Sequence, residues 1–418
     1  MRYRFTVATT LAAALFLCAA PASAAPAATR ADSQAATVQA ERQLQALGDE
    51  YYDALARFNP INSTENGDNR YDSQLGMSIA PAMRARQFAL YHQYALRLRA
   101  IARAQLKGAG KINYDILDYE LRSALSFEPF PQHLLPISQM DSLPVTLANY
   151  ASGEGSQPIA SVAEYDAYLS RLGQLPAWID QAIANMRVGM ASGIVQPKAL
   201  IVSALPQFQK LVSASVETNI FYSPIQRLPA AFSQAEKSRL SVQYRVVIGA
   251  KLMPALARLA TFLEKDYLPA CRESSGLGAL PGGAAWYLAL VARQTTTTLQ
   301  PDEIHAIGLR EVARIQAQFA VLGPRLGYDG PAAGLPAWVA AQPKFHPFKT
   351  EQEVLAAYRK LDGVIDSKLP GLFTLVPKAK LDLRLEPELS RATAADHYSA
   401  PAGDGTRPGV FWSVVNDP

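Results

Sequence analysis

From Ser233 to Tyr267 the chain carries one long helical pattern. Leu240, Tyr244, Val247, Leu252, Leu256, Leu259 and Leu263 fall on its inner side. A stripe of this length belongs to a helix packed against other helices, not to a strand. Ser233-Gln234-Ala235-Glu236 in front of it is a capping box, in which Glu236 can reach back to the N–H of the cap. Pro254 inside it predicts a kink.

The same spacing recurs along the chain. Leu44, Leu47, Tyr51 and Leu55 form one stripe between Val38 and Phe58, which Asn59-Pro60 ends. Helices are expected over Pro81 to Leu106, Asn113 to Phe127, Ser161 to Met190 and Lys198 to Val216. Ser161-Val162-Ala163-Glu164 is a second capping box, and Pro176 predicts a break or kink in the helix that follows. Ala284 to Gln294 reads as a short apolar helix. Pro301 with Asp302 and Glu303 marks a firm helix start, and Glu351 to Leu375 reads as a helix broken near Pro370. Strand signals come late. Leu381, Leu383 and Leu385 alternate with Asp382, Arg384 and Glu386, a half-buried strand. Val410 to Val415 is β-branched and aromatic, with Val410, Trp412 and Val414 on one face and Phe411, Ser413 and Val415 on the other. Neither face is strongly polar, so cover on both is expected. The fold class is therefore mainly α: a multi-helix body of roughly ten helices with a small β element near the C-terminus.

The chain has 418 residues, is 49% hydrophobic and 18% charged, and can bury a sizeable core. The net charge of +4 is small for this length and no basic run is dense, which argues against nucleic acid as a partner. Arg2 and Arg4, the apolar run Val7 to Ala20 and the Ala22-Ser23-Ala24 cleavage site make residues 1–24 a secretory signal peptide. Residues 25–37 are expected to be a disordered leader and 38–418 a single helical domain. Localisation is thus exported, periplasmic or extracellular. Leu17 before Cys18 disfavours a lipoprotein, which needs a small residue there. Once the signal is removed Cys271 is alone and cannot form an internal disulfide. No stable membrane span is expected downstream.

Catalytic signatures are missing. None of His92, His133, His305, His346 and His397 is followed by Glu, so there is no H-E-x-x-H helix, and there is no G-x-S-x-G elbow. GLGALPGG lacks the Lys-Ser/Thr of a phosphate loop, and Asp302 with His305 is one pair without a third ligand. The densest chemistry is Tyr398 to Asn416, YSAPAGDGTRPGVFWSVVN. Arg407 sits at the mouth of the last strand, where a guanidinium can hold a carboxylate or pair with Asp404 to pin the turn.

Four segments together carry a resemblance: AEYDAYLSRLGQLPAWIDQAIANMRVGMASGIVQPK, YLPACRESSGLGALPGGAAWY, TTTTLQPDEIHAIGLREVARI and the terminal stretch. In this order they resemble the bacterial exported family known as domain of unknown function 885, over nearly the whole mature chain. The resemblance implies a helical fold related to zinc metallopeptidases. It implies that soon after the segment matching Arg407 to Asn416 comes a helix with a His-Glu start and a Pro-Gly-His-His run, whose side chains hold zinc and activate water. The chain is expected to stop before that helix. No zinc ligand of the family can be placed on any residue here, and zinc is expected only with that further segment.

By the same resemblance the strand Gly409 to Asn416 would bond an extended peptide by strand addition, with Tyr398, Arg407, Trp412 and Asn416 as substrate-binding residues. The expected function is the N-terminal portion of an exported zinc-dependent peptidase. The alternative is a non-catalytic helical peptide-binding protein or an inactive remnant. Peptide is the expected partner in either case, and the sequence does not set the oligomeric state. A missing segment would leave Trp412, Phe411 and neighbouring leucines as an exposed apolar patch.

Overall fold

The computed structural model describes Ala27 to Val415, apart from residues 140–141, 154, 213–214, 393, 403–404 and 406. The expected signal peptide, Cys18, Asp404 and Asn416 lie outside the described residues.

The first layer is α1 (Ala27–Phe58), α2 (Pro60–Glu65), α3 (Pro81–Arg99) and α4 (Ala109–Ser126). The apolar stripes of α1, α3 and α4 meet in a cluster that includes Leu44, Leu47, Leu98, Leu106 and Leu121, while Ile61 of α2 packs against the main core. Helix α1 begins at Ala27, so the stretch expected as a disordered leader is helical from there on. Its alanines favour helix.

The main core lies between α5 (Leu143–Ser152), α6 (Val162–Ser192), α7 (Lys198–Lys210), the single turn α8 (Ser223–Gln226) and a long helical axis. Helix α6 opens on the Ser161–Glu164 capping box read from the sequence. It passes through Pro176 without a break: one lost backbone bond is outweighed by the buried side chains on either side, Leu175, Trp178 and Ile179.

The long axis runs from Gln234 to Ala270 as α9 (Gln234–Val247), α10 (Met253–Phe262) and α11 (Leu268–Ala270). The Ser233–Glu236 capping box starts it. Two π turns, Ile248–Leu252 and Leu263–Tyr267, precede Pro254 and Pro269. Each widens the helix just before a residue that has no N–H to give, so the axis continues through both prolines. By length and composition this axis could cross a membrane. Its apolar side, from Leu240 to Leu263, is instead the wall of the core.

Beyond it come α12 (Gly283–Thr295), α13 (Pro301–Leu326), α14 (Leu335–Ala340) and α15 (Glu351–Leu372). Helix α15 keeps Pro370 within its last turn. A small sheet follows: β1 (Leu381–Leu385), the turn α16 (Glu388–Arg391), β2 (His397–Ser399) and β3 (Gly409–Ser413). The strand order is β1-β3-β2, with β1 parallel and β2 antiparallel to β3. Both faces of β3 are covered, as its apolar sequence requires: Val410 and Trp412 are buried, and Phe411 packs on Tyr358 of α15.

Two expectations are corrected here. Strand β3 is central, so its backbone groups are taken by β1 and β2 and it cannot receive an added strand; only β1 and β2 have an open edge in this sheet. The apolar patch is not at Trp412 and Phe411 either. Exposed apolar side chains lie instead on α13 and α15, among them Leu309, Val312, Val321, Leu361 and Val364.

Candidate binding groove

The sheet is docked on the helical body at close range. Gly67 adopts φ +82°, and a Cβ there would lie 2.2 Å from Cβ of Ala402. Only glycine lets the loop before β3 approach this closely. Arg407 seals the same contact by donating to the backbone oxygen of Glu65. Behind it the Glu65 carboxylate accepts from Tyr150 Oη and Ser156 Oγ, each at 2.5 Å. Burial first, then the Glu65 charge, holds the Tyr150 phenol protonated far above its ordinary range.

Three cavities follow this seam. One of about 710 Å³ is bordered by Asn149 of α5, Lys210 of α7, Arg359 of α15, and Arg384 and Glu386 from β1 and the residue after it. A second, of about 500 Å³, shares Asn149 and Glu386 with the first and adds Gln207, Asp396 and His397. A third, also about 500 Å³, shares Arg384 with the first and adds Ser156, Glu164, Arg227 and Arg407. They lie side by side along β1, an edge strand, and share these residues as common walls.

Alternation along β1 puts Asp382, Arg384 and Glu386 on one sheet face. The Arg384 guanidinium lies 5.7 Å from the Trp412 ring centroid, and its Nε donates to Asp382 at 2.7 Å, which holds the Asp382 carboxyl below its ordinary value. Trp412 is buried, its Nε1 donating to Ser399 Oγ at 3.0 Å and its ring stacked with His397 at 6.4 Å. His397 Nδ1 stands 3.7 Å from Glu386 Oε2. Glu386 is only 5% exposed. The Oδ1 of Asn149 is buried with no hydrogen-bond partner among the described residues.

Of the four residues expected to bind substrate, the three described ones do not gather in one place. Arg407 borders the groove. Trp412 supports it from beneath, through Arg384 and His397. Tyr398 pairs with Phe411 in the ladder, so it belongs to the opposite face, is 57% exposed, and borders none of the three cavities. It covers Gly409 instead. Asn416 lies outside the described residues. Missed from the sequence were Asn149, Arg227, Asp396, His397 and the pair Arg384 and Glu386. The alternation in LDLRLE was the available signal, but it suggested that the polar side faced water. Asp382 and Arg384 are partly exposed as that implies and Leu383 on the other side is buried, but Glu386 just past the strand is buried too.

Other candidates are structural. Cys271 is half-buried and burial pushes its thiol up to about 11, far from the thiolate a nucleophile needs. Asp302 and His305 are not joined by any third donor: among the described residues no three His, Cys, Asp or Glu side chains meet as a metal-binding group. The described residues therefore do not furnish a zinc ligand set.

Comparison with known proteins places these features in context. The family model described as bacterial protein of unknown function (DUF885) matches residues 60–418. A solved structure of a candidate lipoprotein from Colwellia psychrerythraea is similar with a TM-score of 0.78 and 20% sequence identity, over 90% of this chain and 68% of that one. At that identity the likeness concerns the fold alone. No curated protein matches.

Proposed function

The chain belongs to the bacterial DUF885 family, and from this premise we propose that it is an exported protein that binds peptides in the groove between its helical body and the sheet. The observation that carries this reading is the groove itself. An edge strand, β1, lies along adjoining cavities of about 710 and 500 Å³ whose walls combine leucines with separated charges. A concave site of this size with a few convergent polar groups suits an extended chain with side chains on alternate sides.

Export rests on the N-terminal signal pattern read from residues 1–24. The resemblance to helical zinc peptidases supports hydrolysis of the bound peptide as the finer reading, with simple retention of the peptide as the other. The experiment is to titrate the purified protein with a fluorescent peptide mixture and to follow both binding and cleavage, with and without a chelator. Saturable binding competed by unlabelled peptide supports the groove reading. Cleavage abolished by the chelator supports the peptidase, and binding without cleavage supports retention. Failure of every peptide to bind overturns the proposal.

A further inference from the structure

The two ends of the groove carry opposite charge. On one side of β1, the cavity around Asn149 is bordered by the carboxylates of Glu386 and Asp396. The opposing group there is His397, 3.7 Å from Glu386. Asp396 Oδ1 accepts from the Val414 N–H at 2.6 Å, and its Oδ2 stands 3.5 Å from Tyr358 Oη. The buried Oδ1 of Asn149 adds an acceptor to which no described residue donates. A buried acceptor left so is costly unless a ligand supplies a donor. This end presents acceptors and negative charge.

On the other side of β1 the cavity is bordered by three guanidinium groups, Arg227, Arg384 and Arg407. Each is held by part of its donor fork. Arg227 Nη2 donates to Ala151 O at 2.5 Å, Arg384 Nε to Asp382, and Arg407 to Glu65 O. A guanidinium has five N–H groups, so each keeps donors for a ligand. The acid bordering this cavity, Glu164, is occupied with the N–H groups of Ala160 and Ser161. This end presents donors and positive charge.

Resting on the peptide-binding reading, we infer that the groove takes a peptide with both ends free and fixes its direction. The α-ammonium enters the cavity of Asn149, Glu386 and Asp396, and the α-carboxylate enters the cavity of Arg227, Arg384 and Arg407. Arg384 and Glu386 are two residues apart, roughly 7 Å along an extended strand, so the charge changes sign within the reach of a short peptide. The middle cavity, with Leu211 and Leu355 beside Lys210, Arg359 and Arg391 in its wall, takes the side chains between.

The test is a blocking cycle. Alanine peptides of about three to six residues, a span matched to the extended rise of the chain, are titrated calorimetrically in three forms: free, N-acetylated and C-amidated. Each block is expected to weaken binding roughly tenfold or more, the loss of one charge-assisted hydrogen bond. Asp396→Asn should remove the penalty for N-acetylation and leave that for amidation. Arg407→Gln should do the reverse. Glu386→Gln repeats the first arm in case Asp396→Asn disturbs the sheet, and circular dichroism checks each fold. If free and blocked peptides bind equally, or if the two variants respond the other way round, the assignment is overturned while the peptide-binding reading stands. If no form binds, both fall.

Discussion

Arg171 Nη2 stands 3.6 Å from Asp72 Oδ1, with the two side chains 0% and 8% exposed. The arginine belongs to α6, and the aspartate to the loop that follows α2. The guanidinium also donates to Gln157 Oε1, Thr64 Oγ1 and the backbone oxygens of Gln74, Pro60 and Tyr71. One side chain thus binds the first helical layer to the main core. It also backs the Tyr150–Glu65 contact on which Arg407 rests.

Arg171→Met is expected to lower the unfolding free energy by about 3–5 kcal/mol, because it leaves Asp72 and several carbonyls buried without their partner. Urea titration followed by circular dichroism measures it. A loss under about 1 kcal/mol would mean that the network is solvated in solution.

Asp72 itself gives a pH signature. Burial outweighs the Thr64 hydrogen bond and the Arg171 charge, so its folded pKa is raised. A raised carboxyl contributes stability that is complete below the unfolded pKa, about 4, and is lost as pH rises through the folded value. The stability of the wild type relative to Asp72→Asn should therefore fall as pH is raised from about 4. A difference that grows with pH would show that the ion pair wins.

Two glycines of α6 make a matched pair. A Cβ on Gly189 would lie 2.4 Å from the backbone oxygen of Ile194, whereas nothing lies within 4 Å of one on Gly173. Gly173→Ala should stabilise by about 0.5–1 kcal/mol through helix propensity. Gly189→Ala should destabilise by more than about 1 kcal/mol, because the turn that caps the helix must open. Thermal melts of both variants decide it.

Cys271 should resist alkylation at neutral pH. Its folded thiol, pushed up to about 11 by burial, stays protonated where an exposed thiol has ionised. The rate with iodoacetamide should climb until pH reaches about 11. The thiol's contribution to stability is complete below the unfolded pKa and is lost as pH rises through the folded one. Fast labelling at pH 7 would refute the burial.

The exposed leucines and valines of α13 and α15 predict binding of hydrophobic dyes and concentration-dependent self-association. Leu309→Glu together with Val364→Lys should reduce both, read by dye fluorescence and sedimentation. Unchanged behaviour would place the sticky surface elsewhere.

Much of the helical architecture is local and so was legible in the sequence. Capping boxes at Ser161 and Ser233, the proline start at Pro301 and the stripe from Leu240 to Leu263 depend on contacts within a few residues. The prolines were less legible, because the cost of a lost N–H is settled by the packing around it: Pro176 sits in an unbroken helix among buried neighbours, and Pro254 follows a π turn.

The sequence by itself determined that this is a mainly helical chain, where most helices start, and that two late strands exist. It could not determine which strand lies in the middle of the sheet, or that Glu386 just past β1 is buried. Nor could it show that Arg227, Arg384 and Arg407 border one cavity while Glu386 and Asp396 border another. Helical bonds join neighbours and write their period into the chain, whereas strand pairing and the docking of β1 on α15 join distant segments and leave no local mark.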